Sequence, residues 1–319
     1  FGLGSVSRLQ RSTAVEVQVP ATSANLGPGF DCLGLALGIH DRLIAMITDD
    51  PGVRVDIEGE GADALPTDES HLVVRAAARG FDAMGMSMPG LIVRCTNSIP
   101  QGRGLGSSAA AIIAGLLIAR GLVVDGGDEL SDADILDIAT QMEGHPDNVA
   151  AALLGGFTTA WLEAESAGSV HTSAVVRPVH PAVAAIVAVP AQPVATAKAR
   201  GLLGDTVTRE SAVFNIGRTS ALSHALAADP SMLFTSTEDR LHQDERAQVY
   251  PQSHSLLTQW REQGLPAVIS GAGPTVLVLT DQPDRAGRIM ASACGDEWQV
   301  RAVEIDLDGA RAVTRPLGG

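Results

Sequence analysis

The sequence predicts an α+β protein built from two layered domains. Its 319 residues exceed the length of one ordinary domain, and a chain that is 45% hydrophobic and 18% charged supports sizeable cores. Strand-like and helical patterns mix in both halves, without a strict parallel strand–helix–strand rhythm in the first. Small and polar residues over 163–173 mark a boundary. We therefore predict one domain over 12–165 and a second over 174–319.

In the first half, alternating apolar runs predict strands, and helical spacing of apolar residues predicts helices. The predicted strands are 14–20, 42–48, 52–59, 91–95 and 157–162. The predicted helices are 71–85, 107–124, 131–144 and 145–156. The helix over 107–124 is apolar on nearly every side, which predicts that it is buried. Ser131 with its acidic first turn is typical of a helix start.

The second half continues with the same two patterns, and neither a repeat nor a low-complexity tract interrupts them. The predicted strands are 183–190, 267–271, 275–280 and 299–307. The predicted helices are 207–228, 231–246, 253–263 and 285–294. Both halves are therefore expected to mix sheet and helix.

The composition excludes several classes of protein. Lys and Arg number 22 against 37 Asp and Glu, so the net charge of -15 argues against nucleic acid or an anionic membrane as a partner. Cys32, Cys95 and Cys294 are an odd number without a CxxC pair, which favours free thiols over a disulfide or a zinc site. The sequence lacks a signal-peptide pattern, and its most apolar run, 109–119, is too short to span a bilayer. A cytoplasmic protein is expected.

The segment "IPQGRGLGSSAAA" over 99–111 has the composition of a loop that holds phosphate. Gly104 and Gly106 can take positive φ and let backbone N–H groups approach an anion. The following helix adds the positive end of its dipole, Ser107 and Ser108 add hydroxyl groups, and Arg103 adds charge at the rim. A tight turn with serine caps is the alternative structural interpretation.

A dinucleotide site is another alternative for this loop. The residues 104–109 fit GxGxxG/A, and Asp125 follows at about the spacing of an acidic ribose ligand. That fingerprint requires a strand directly before its first glycine, whereas here the apolar strand ends at Cys95. A Walker loop is excluded, since GxxxxGK[ST] occurs nowhere in the chain.

Polar residues gather in a second segment, "MEGHPDN" over 142–148. Glu143 ends a predicted helix, and His145, Asp147 and Asn148 lie at the start of the next. A carboxylate at such a corner suits Mg²⁺, which takes one or two carboxylates together with substrate phosphates. Helix capping by Asp147 and Asn148 explains the same residues without a metal.

The segment "PATSANLGPGFDCLGLALG" over 20–38 places Asn25 and Asp31 in a rigid loop between apolar runs, which favours a binding loop. Arg200 in "TAKAR" and Arg246 in "LHQDERAQ" suit surface helix charges when each is taken alone. The segment "SGAGPTV" over 270–276 predicts a second glycine turn between two strands.

Three of these motifs, in this order, resemble the GHMP small-molecule kinases. The P-x-x-x-G-L-G-S-S-A motif of the family stands at 100–109, and its late glycine turn stands at 271–274 with Ser270. Segments 20–37 and 143–148 are similar to those of the members that act on homoserine. The resemblance spans the chain from about Val15 to Val300. It implies a two-domain GHMP kinase fold with a left-handed βαβ unit in the N-terminal domain and a ferredoxin-like C-terminal domain.

The resemblance also implies an activity, the ATP-dependent phosphorylation of the L-homoserine hydroxyl to O-phospho-L-homoserine in threonine biosynthesis. It further implies Mg²⁺ as a cofactor, L-homoserine and ATP as the small-molecule substrates, and a homodimer. A mevalonate-type or sugar kinase is the alternative within the family. The ATP phosphates are expected on Pro100, Gln101, Gly102, Arg103, Gly104, Leu105, Gly106, Ser107, Ser108, Ala109 and Ala110. The substrate is expected on Asn25, Asp31, His145, Asn148, Thr196, Arg200 and Arg246.

The same resemblance assigns individual roles. Ser108 and Glu143 hold the metal and, with Asn148, form the catalytic set. Asp31 binds the ammonium group of the substrate at one end of the pocket, while Arg200 and Arg246 bind the substrate carboxylate at the other. No adenine-contacting residue is predicted, because the chain has a histidine at 71 where such members often have asparagine.

A mechanism without a strong base follows from one residue type. Asn148 stands where other members place an aspartate beside the attacking hydroxyl, and an amide cannot accept a proton at neutral pH. Positioning and charge neutralisation are therefore expected to carry the reaction. Asp147 is the nearby carboxylate that remains as a candidate base, with helix capping as its alternative role.

Overall fold

The computed structural model describes residues 8–164, 170–194 and 199–317, which form a seven-stranded and a four-stranded sheet. The strands are β1 (Thr13–Ala24), β2 (Leu33–Thr48), β3 (Val53–Gly59), β4 (Gly90–Asn97), β5 (Phe157–Ala164), β6 (Val170–Arg177), β7 (Ala184–Pro190), β8 (Ala267–Ile269), β9 (Val276–Thr280), β10 (Trp298–Val303) and β11 (Arg311–Pro316). The helices are α1 (Leu72–Ala83), α2 (Ser107–Gly121), α3 (Gly126–Glu129), α4 (Asp132–Glu143), α5 (Asp147–Leu154), α6 (Arg209–Ala227), α7 (Leu233–Ser236), α8 (Pro251–Glu262) and α9 (Pro283–Ala293). None of the helices in these ranges combines the length and apolar character that a bilayer crossing requires.

The first sheet has the order β11-β1-β2-β4-β3, with β5 paired to β2 and β6 to β5. Strands β3 and β4 are parallel and are connected through α1, so they form a βαβ unit. Helix α2 lies under this sheet, and its residues from Ala109 to Ala119 are buried except Ala111. Its predicted burial is therefore confirmed, and a buried α2 holds its N-terminus in a fixed place.

The strands β1 and β2 are longer than predicted and approach each other around the predicted binding loop. Antiparallel pairing resumes after a register shift between Pro20 and Ala21 and continues to the pair Ala24–Gly34. Only 25–32 remain outside the strands at this end. The loop is thus the short tip of a rigid hairpin, which fixes the side chains that it carries.

The second sheet has the order β10-β7-β9-β8 and is antiparallel throughout. Its strands follow the chain order strand–helices–strand–strand–helix–strand, which is the ferredoxin-like arrangement that the resemblance implies. Helices α8 and α9 pack on it around the fully buried Trp260 and Met290.

One predicted helix, 231–246, is wrong. The chain forms a 3-10 turn at Pro230–Met232 and the short α7, and then leaves the helix at Thr237. The reason is Asp239, whose carboxylate accepts the N–H groups of Leu241, His242 and Gln243 at 2.9 to 3.0 Å. Asp and Asn side chains compete with helical bonds in this way and favour turns.

The sheets divide the chain differently from the predicted domains, whose limits remain a prediction. Strand β6 pairs with β5, and β11 pairs with β1, so segments on both sides of the second sheet belong to the first. The predicted strand 299–307 ends as β10 at Val303. The residues that follow bind the first part of β2, where Gly38 N–H donates to Glu304 O and Asp306 N–H donates to Ala36 O.

The Asp239 turn leads to a prediction on stability. Burial opposes ionisation, but the interaction with His242 and the hydrogen bonds from Asn215 and the backbone hold the pKa of Asp239 below its ordinary value of 3.8. A carboxylate with a lowered pKa stabilises the fold above pH 3.8, and this contribution is lost as the pH falls through the lowered value. We expect Asp239→Asn to lower the free energy of unfolding by about 2 kcal/mol at neutral pH.

Urea unfolding at several pH values measures this effect. The difference between the two proteins should shrink as the pH falls below 3.8 and through the lowered pKa of Asp239, where the carboxylate of the unaltered protein becomes protonated. Asp244→Asn is the matched control, because that side chain is 83% exposed and its removal should change little. A constant difference across the pH range would contradict the assignment.

Candidate active site

A cleft brings together residues that lie far apart in the chain. It is lined by Asn25, Asp31, Gly102, Gly104, Leu105, Gly106, Ser107, Ser108, Glu143, His145, Asp147, Asn148, Arg200 and Arg246, with Ala24, Gly271 and Ala272. Predicted residues outside this lining are Pro100, Gln101, Arg103, Ala109 and Ala110. Thr196 lies outside the described residues. Most of the predicted site is therefore assembled in one place.

The glycine loop is tightly held by its neighbours. Gly104 and Gly106 have φ of +73° and +70°. A Cβ on Gly106 would lie 1.9 Å from the Thr22 Oγ1, and one on Gly104 would lie 2.3 Å from the Ser270 carbonyl oxygen. Both positions thus require glycine for conformation and for space.

The second glycine turn supports the first. The Ser270 hydroxyl, which is fully buried, lies 2.6 Å from the carbonyl oxygen of Gly104 and 2.8 Å from the hydroxyl of Ser23. The Thr275 N–H donates to the Arg103 carbonyl. The second glycine turn therefore holds the glycine loop in its observed shape.

The start of α2 does not use its serines as caps. Gly106 is the N-cap residue and has no side chain to offer, and Ser108 Oγ donates to Glu143 Oε1 at 2.6 Å. The N–H groups of the first helical turn lack intrahelical partners and carry the positive end of the dipole, so this helix start suits an anion. The serine-capped turn is therefore not what the structure contains. The dinucleotide pattern also lacks its strand, since β4 ends at Asn97.

Arg103 does not extend into the cleft. Its guanidinium donates to the carbonyl groups of Gln101, Pro190 and Ala191 at 2.6 to 3.3 Å. This side chain ties the loop to the end of β7. The guanidinium group that was predicted at the rim of the site is therefore hydrogen-bonded to protein carbonyl groups.

Glu143 and Ser108 place two oxygen atoms at the junction of two helices. Glu143 is the last residue of α4, which Gly144 caps with φ +92°, and Ser108 is in the first turn of α2. Their direct contact is exposed to solvent. A hydroxyl and a carboxylate are the hard donors that Mg²⁺ prefers, so this pair fits that ion.

A second group of possible metal ligands, Asp31, His145 and Asp147, has its donor atoms within 4.8 Å of one another. Asp147 is 1% exposed, and its Oδ1 accepts from His145 Nδ1 and from the Asn148 N–H, both at 2.7 Å. Burial disfavours protonated His145, but the hydrogen bond and the charge of Asp147 outweigh it and raise the pKa of His145. These internal bonds occupy the carboxylate, which favours the Ser108–Glu143 pair as the metal site.

Asn148 faces the glycine loop from the first turn of α5. Its Oδ1 accepts from the hydroxyl of buried Thr22 at 2.7 Å, and its Nδ2 lies 3.4 Å from Asp147 Oδ1. The side chain is therefore fixed, and its second amide hydrogen has no partner among the described residues. Thr22, which holds it, escaped prediction because it lies within a strand and carries no charge.

The charged groups of the pocket are arranged differently from the prediction. Asp31 and the two arginines were expected at opposite ends, but Arg200 donates to both carboxylate oxygens of Asp31, at 2.5 and 3.1 Å. Arg246 is 1% exposed and has no carboxylate within ion-pair distance in the described ranges. Burial lowers the pKa of Arg246.

Two further residues of this region were missed. The Phe30 ring lies 5.7 Å from the guanidinium carbon of Arg200 and 5.2 Å from that of Arg246. The ring of His242, which is 1% exposed, contacts Phe30, and its Nδ1 lies 3.4 Å from Arg246 Nη1. A phenylalanine directly before Asp31 in the predicted binding loop was the signal available in the sequence.

A smaller cavity adjoins the glycine loop at Gln101 and Ser107. It is also lined by Asp41, Asn97 and His71. His71 caps α1 through Nδ1, which accepts from the Val73 N–H, and its buried Nε2 has no hydrogen-bond partner in the described chain. A polar atom left in this way is available to a group that enters the cavity.

Comparison with known proteins identifies the family of the chain. Residues 71–156 match the GHMP kinases N terminal domain, and residues 221–296 match the GHMP kinases C terminal domain. The chain belongs to the GHMP kinase family, whose two-domain α+β fold the sequence predicted. It is an ATP-dependent kinase of that family.

The similar proteins include homoserine kinases. The chain is 48% identical over 300 residues to the homoserine kinase of Streptomyces coelicolor, covering 94% of each protein. It is 46% identical over 308 residues to that of Clavibacter michiganensis, covering 95% of each. The crystal structure of homoserine kinase from Cytophaga hutchinsonii has a TM-score of 0.79 at 27% identity, over 94% of this chain and 97% of that one. The resemblance stated from the motifs is thereby confirmed.

Proposed function

We propose that this protein transfers the γ-phosphoryl group of ATP to the side-chain hydroxyl of L-homoserine and forms O-phospho-L-homoserine. The observation that carries the proposal is that one cleft is lined both by a helix start suited to an anion and by buried Arg246. A buried guanidinium without a carboxylate is costly unless an anion reaches it, and a substrate carboxylate supplies one. The curated relatives named homoserine kinase support the choice of substrate.

The residues that bind ATP follow the loop. The backbone of Gly104–Gly106 and the first turn of α2 are proposed to hold the phosphates. The nucleoside is proposed to extend from the loop toward the adjoining cavity, which His71 and Asn97 line. Pro100, Ala109 and Ala110 are buried and support the loop from inside, while Gln101 borders that cavity.

Mg²⁺ is proposed on Ser108 and Glu143. When bound, the ion neutralises phosphate charge that the acidic chain, with a net charge of -15, would otherwise repel. Ser108 contributes a hydroxyl oxygen and Glu143 a carboxylate, and their contact keeps the two groups together before the ligand arrives.

Asn148 is proposed to align the hydroxyl of the substrate. Thr22 fixes its carbonyl oxygen, so the free amide hydrogen points a donor at the incoming oxygen and leaves that oxygen a lone pair for the phosphorus. Asp147 is buried and committed to His145 and to the start of α5, which argues against it as a base. The proton then leaves through phosphate or solvent. Little covalent chemistry is required of the protein in such a transfer.

The broader setting of the protein is part of the same proposal. The three free thiols support a cytoplasmic location, as does the use of ATP. The division into domains at 12–165 and 174–319 and the homodimer rest on the sequence and the resemblance. Limited proteolysis would test the domain limits, and analytical sedimentation would test the homodimer.

One assay tests the proposed function. The protein is incubated with ATP, Mg²⁺ and L-homoserine, ADP release is followed, and the product is identified as O-phosphohomoserine by phosphorus NMR. R-mevalonate and galactose serve as competing alcohols. Faster ADP release with either one, or no phosphorylated homoserine, would contradict the proposal.

Asn148→Ala provides a test of the alignment role. We expect kcat to fall about 100-fold with little change in the KM for ATP, because orientation of the nucleophile is lost while the phosphate loop stays intact. Steady-state kinetics with both substrates varied measures the split. Full turnover in Asn148→Ala, together with a loss in Asp147→Asn, would instead identify Asp147 as the base.

A further inference from the structure

One face of the first sheet has no helix or strand packed on it within the described part of the chain. Alternate residues of its strands, such as Val17, Ala45 and Val93, are buried against the helices, and the residues between them point the opposite way. Strand pairing aligns these outward residues in rows from β11 through β1, β2 and β4 to β3. The first row is Val313, Glu16, Ile44, Arg94 and Asp56, the second is Arg311, Gln18, Arg42, Thr96 and Glu58, and the third is Arg315, Ala14, Met46, Ile92 and Arg54. None of these side chains is buried, and together they form what we call the uncovered face.

The charge of the uncovered face differs from that of the whole chain. The face carries five arginines and three acidic residues, whereas the chain has 22 Lys and Arg against 37 Asp and Glu. An apolar strip crosses its middle from Ala14 through Met46 and Ile44 to Ile92, and Ile44 is 40% exposed. An apolar centre within a charged rim is typical of a surface that binds another protein.

The order of residues in the first row indicates a second copy of this chain as the partner. A twofold axis that runs parallel to β2 and above it places β1 of one copy over β4 of the other. Glu16 then faces Arg94 of the second copy, and Ile44 faces its own counterpart. We propose that two copies of this chain pack through their uncovered faces in this way. The proposal rests on the homodimer that is part of the proposed function, and it names the surface that forms it.

The other two rows add complementary contacts about the same axis. In the third row, Met46 meets its own counterpart, and Ala14 meets Ile92 of the second copy. In the second row, Arg311 of β11 meets Glu58 of β3 in the second copy. Apolar residues thus face apolar residues along the axis, and a basic residue faces an acidic one at the margin. The alternation of charge along the rows therefore matches a copy of the same face better than a partner of uniform charge.

Two like-charge contacts oppose this arrangement away from the centre. Arg42 meets its own counterpart in the second row, and Arg315 meets Arg54 of the second copy in the third. Arg315 and Arg54 already have acidic partners in their own chain, Glu16 at 2.9 Å and Asp56 at 3.0 Å. Sheets that pack face to face are rotated by about 30° against each other, which separates the corners more than the centre. The contacts of the first row are therefore the ones to test.

Charge reversal at the contact between Glu16 and Arg94 tests the proposal. The contact occurs twice in a twofold dimer, so Glu16→Arg alone brings two pairs of like charges together, and Arg94→Glu alone does the same. We expect each variant alone to weaken the dimer about 100-fold or more. In an equal mixture, a Glu16→Arg chain can pair with an Arg94→Glu chain, and both contacts then join opposite charges again. The mixture should therefore form a heterodimer with nearly the affinity of the unaltered dimer.

Analytical sedimentation of the full-length chain over a dilution series measures these affinities. Any disturbance inside a variant chain is the same alone and in the mixture, so recovery in the mixture reports a contact between copies. Arg79→Glu, at an exposed position of α1, is the matched control and should leave the dimer unchanged. Neither Glu16 nor Arg94 lines the cleft, so turnover of L-homoserine by each variant checks that it is folded.

Loss of the dimer in both single variants and its return in the mixture support the proposal. A dimer that persists in either single variant, or variants that stay monomeric when they are mixed, overturns the proposal while the homodimer stands. If the unaltered chain is a monomer at every concentration, the homodimer and the proposed surface fail together. The phosphorylation of L-homoserine is judged separately by its own assay.

Discussion

Gly106→Ala should reduce kcat/KM by about 100-fold or more, because transition-state stabilisation in phosphoryl transfer depends on the exact placement of the phosphate-binding amides. The added methyl group would lie 1.9 Å from the Thr22 hydroxyl, and the backbone has φ +70°, which alanine disfavours. Relief of the clash moves either α2 or Thr22. Thr22 also holds Asn148, so both the ATP side and the hydroxyl side of the cleft are disturbed.

Steady-state kinetics with ATP and L-homoserine varied in turn measures this loss. The matched control is Gly127→Ala, at a helical glycine where an added Cβ meets nothing within 4 Å. Near-normal kinetics are expected from the control, and circular dichroism should show both variants folded. Normal kcat/KM in Gly106→Ala would show that the loop does not hold the phosphates.

Glu143→Gln should lower kcat by about 100- to 1,000-fold, the size seen when one preorganised electrostatic contact to the reacting group is removed. Glutamine keeps the shape and can still accept from Ser108, but it lacks the charge that binds a divalent cation. The Mg²⁺ concentration that gives half-maximal rate should rise, while the KM for homoserine stays near its original value. Ser108→Ala, which removes the neutral ligand, should have the smaller effect.

Initial rates over a range of Mg²⁺ concentrations give both quantities. Gln141→Ala is the control, since this exposed residue lies on the same helix two positions before Glu143. An unchanged Mg²⁺ dependence in Glu143→Gln would contradict the metal assignment and direct attention to Asp31 and Asp147 instead.

The sequence predicts correctly those features of the site that a short stretch of consecutive residues indicates. The apolar run after the glycine loop requires a buried helix, and the glycines at 104 and 106 indicate positive φ, as the structure confirms. The capping serine at 131 begins α4 through a capping box with Asp134. In each case the signal lies in a short stretch of sequence, although the contacts of Gly104 and Gly106 with Ser270 and Thr22 are long-range.

Contacts between distant segments escaped prediction. Arg246 was assigned to a helix that Asp239 interrupts, and its burial depends on Phe30 and His242. The pairing of Asp31 with Arg200 joins segments whose spacing carries no periodic signal. Strand β11 is exposed at all six residues, so it lacks the alternation by which strands are identified.

The pairing of β11 with β1 has a consequence for biosynthesis. During translation, β1 emerges early, but its outer edge stays open until residues 311–316 follow the whole second sheet out of the ribosome. An open strand edge is a template for wrong pairing and aggregation. The first sheet carries Thr22 and the hairpin tip at 25–32, and it is completed only after the second sheet has been synthesised. The two halves of the cleft therefore reach their final structure at the same stage.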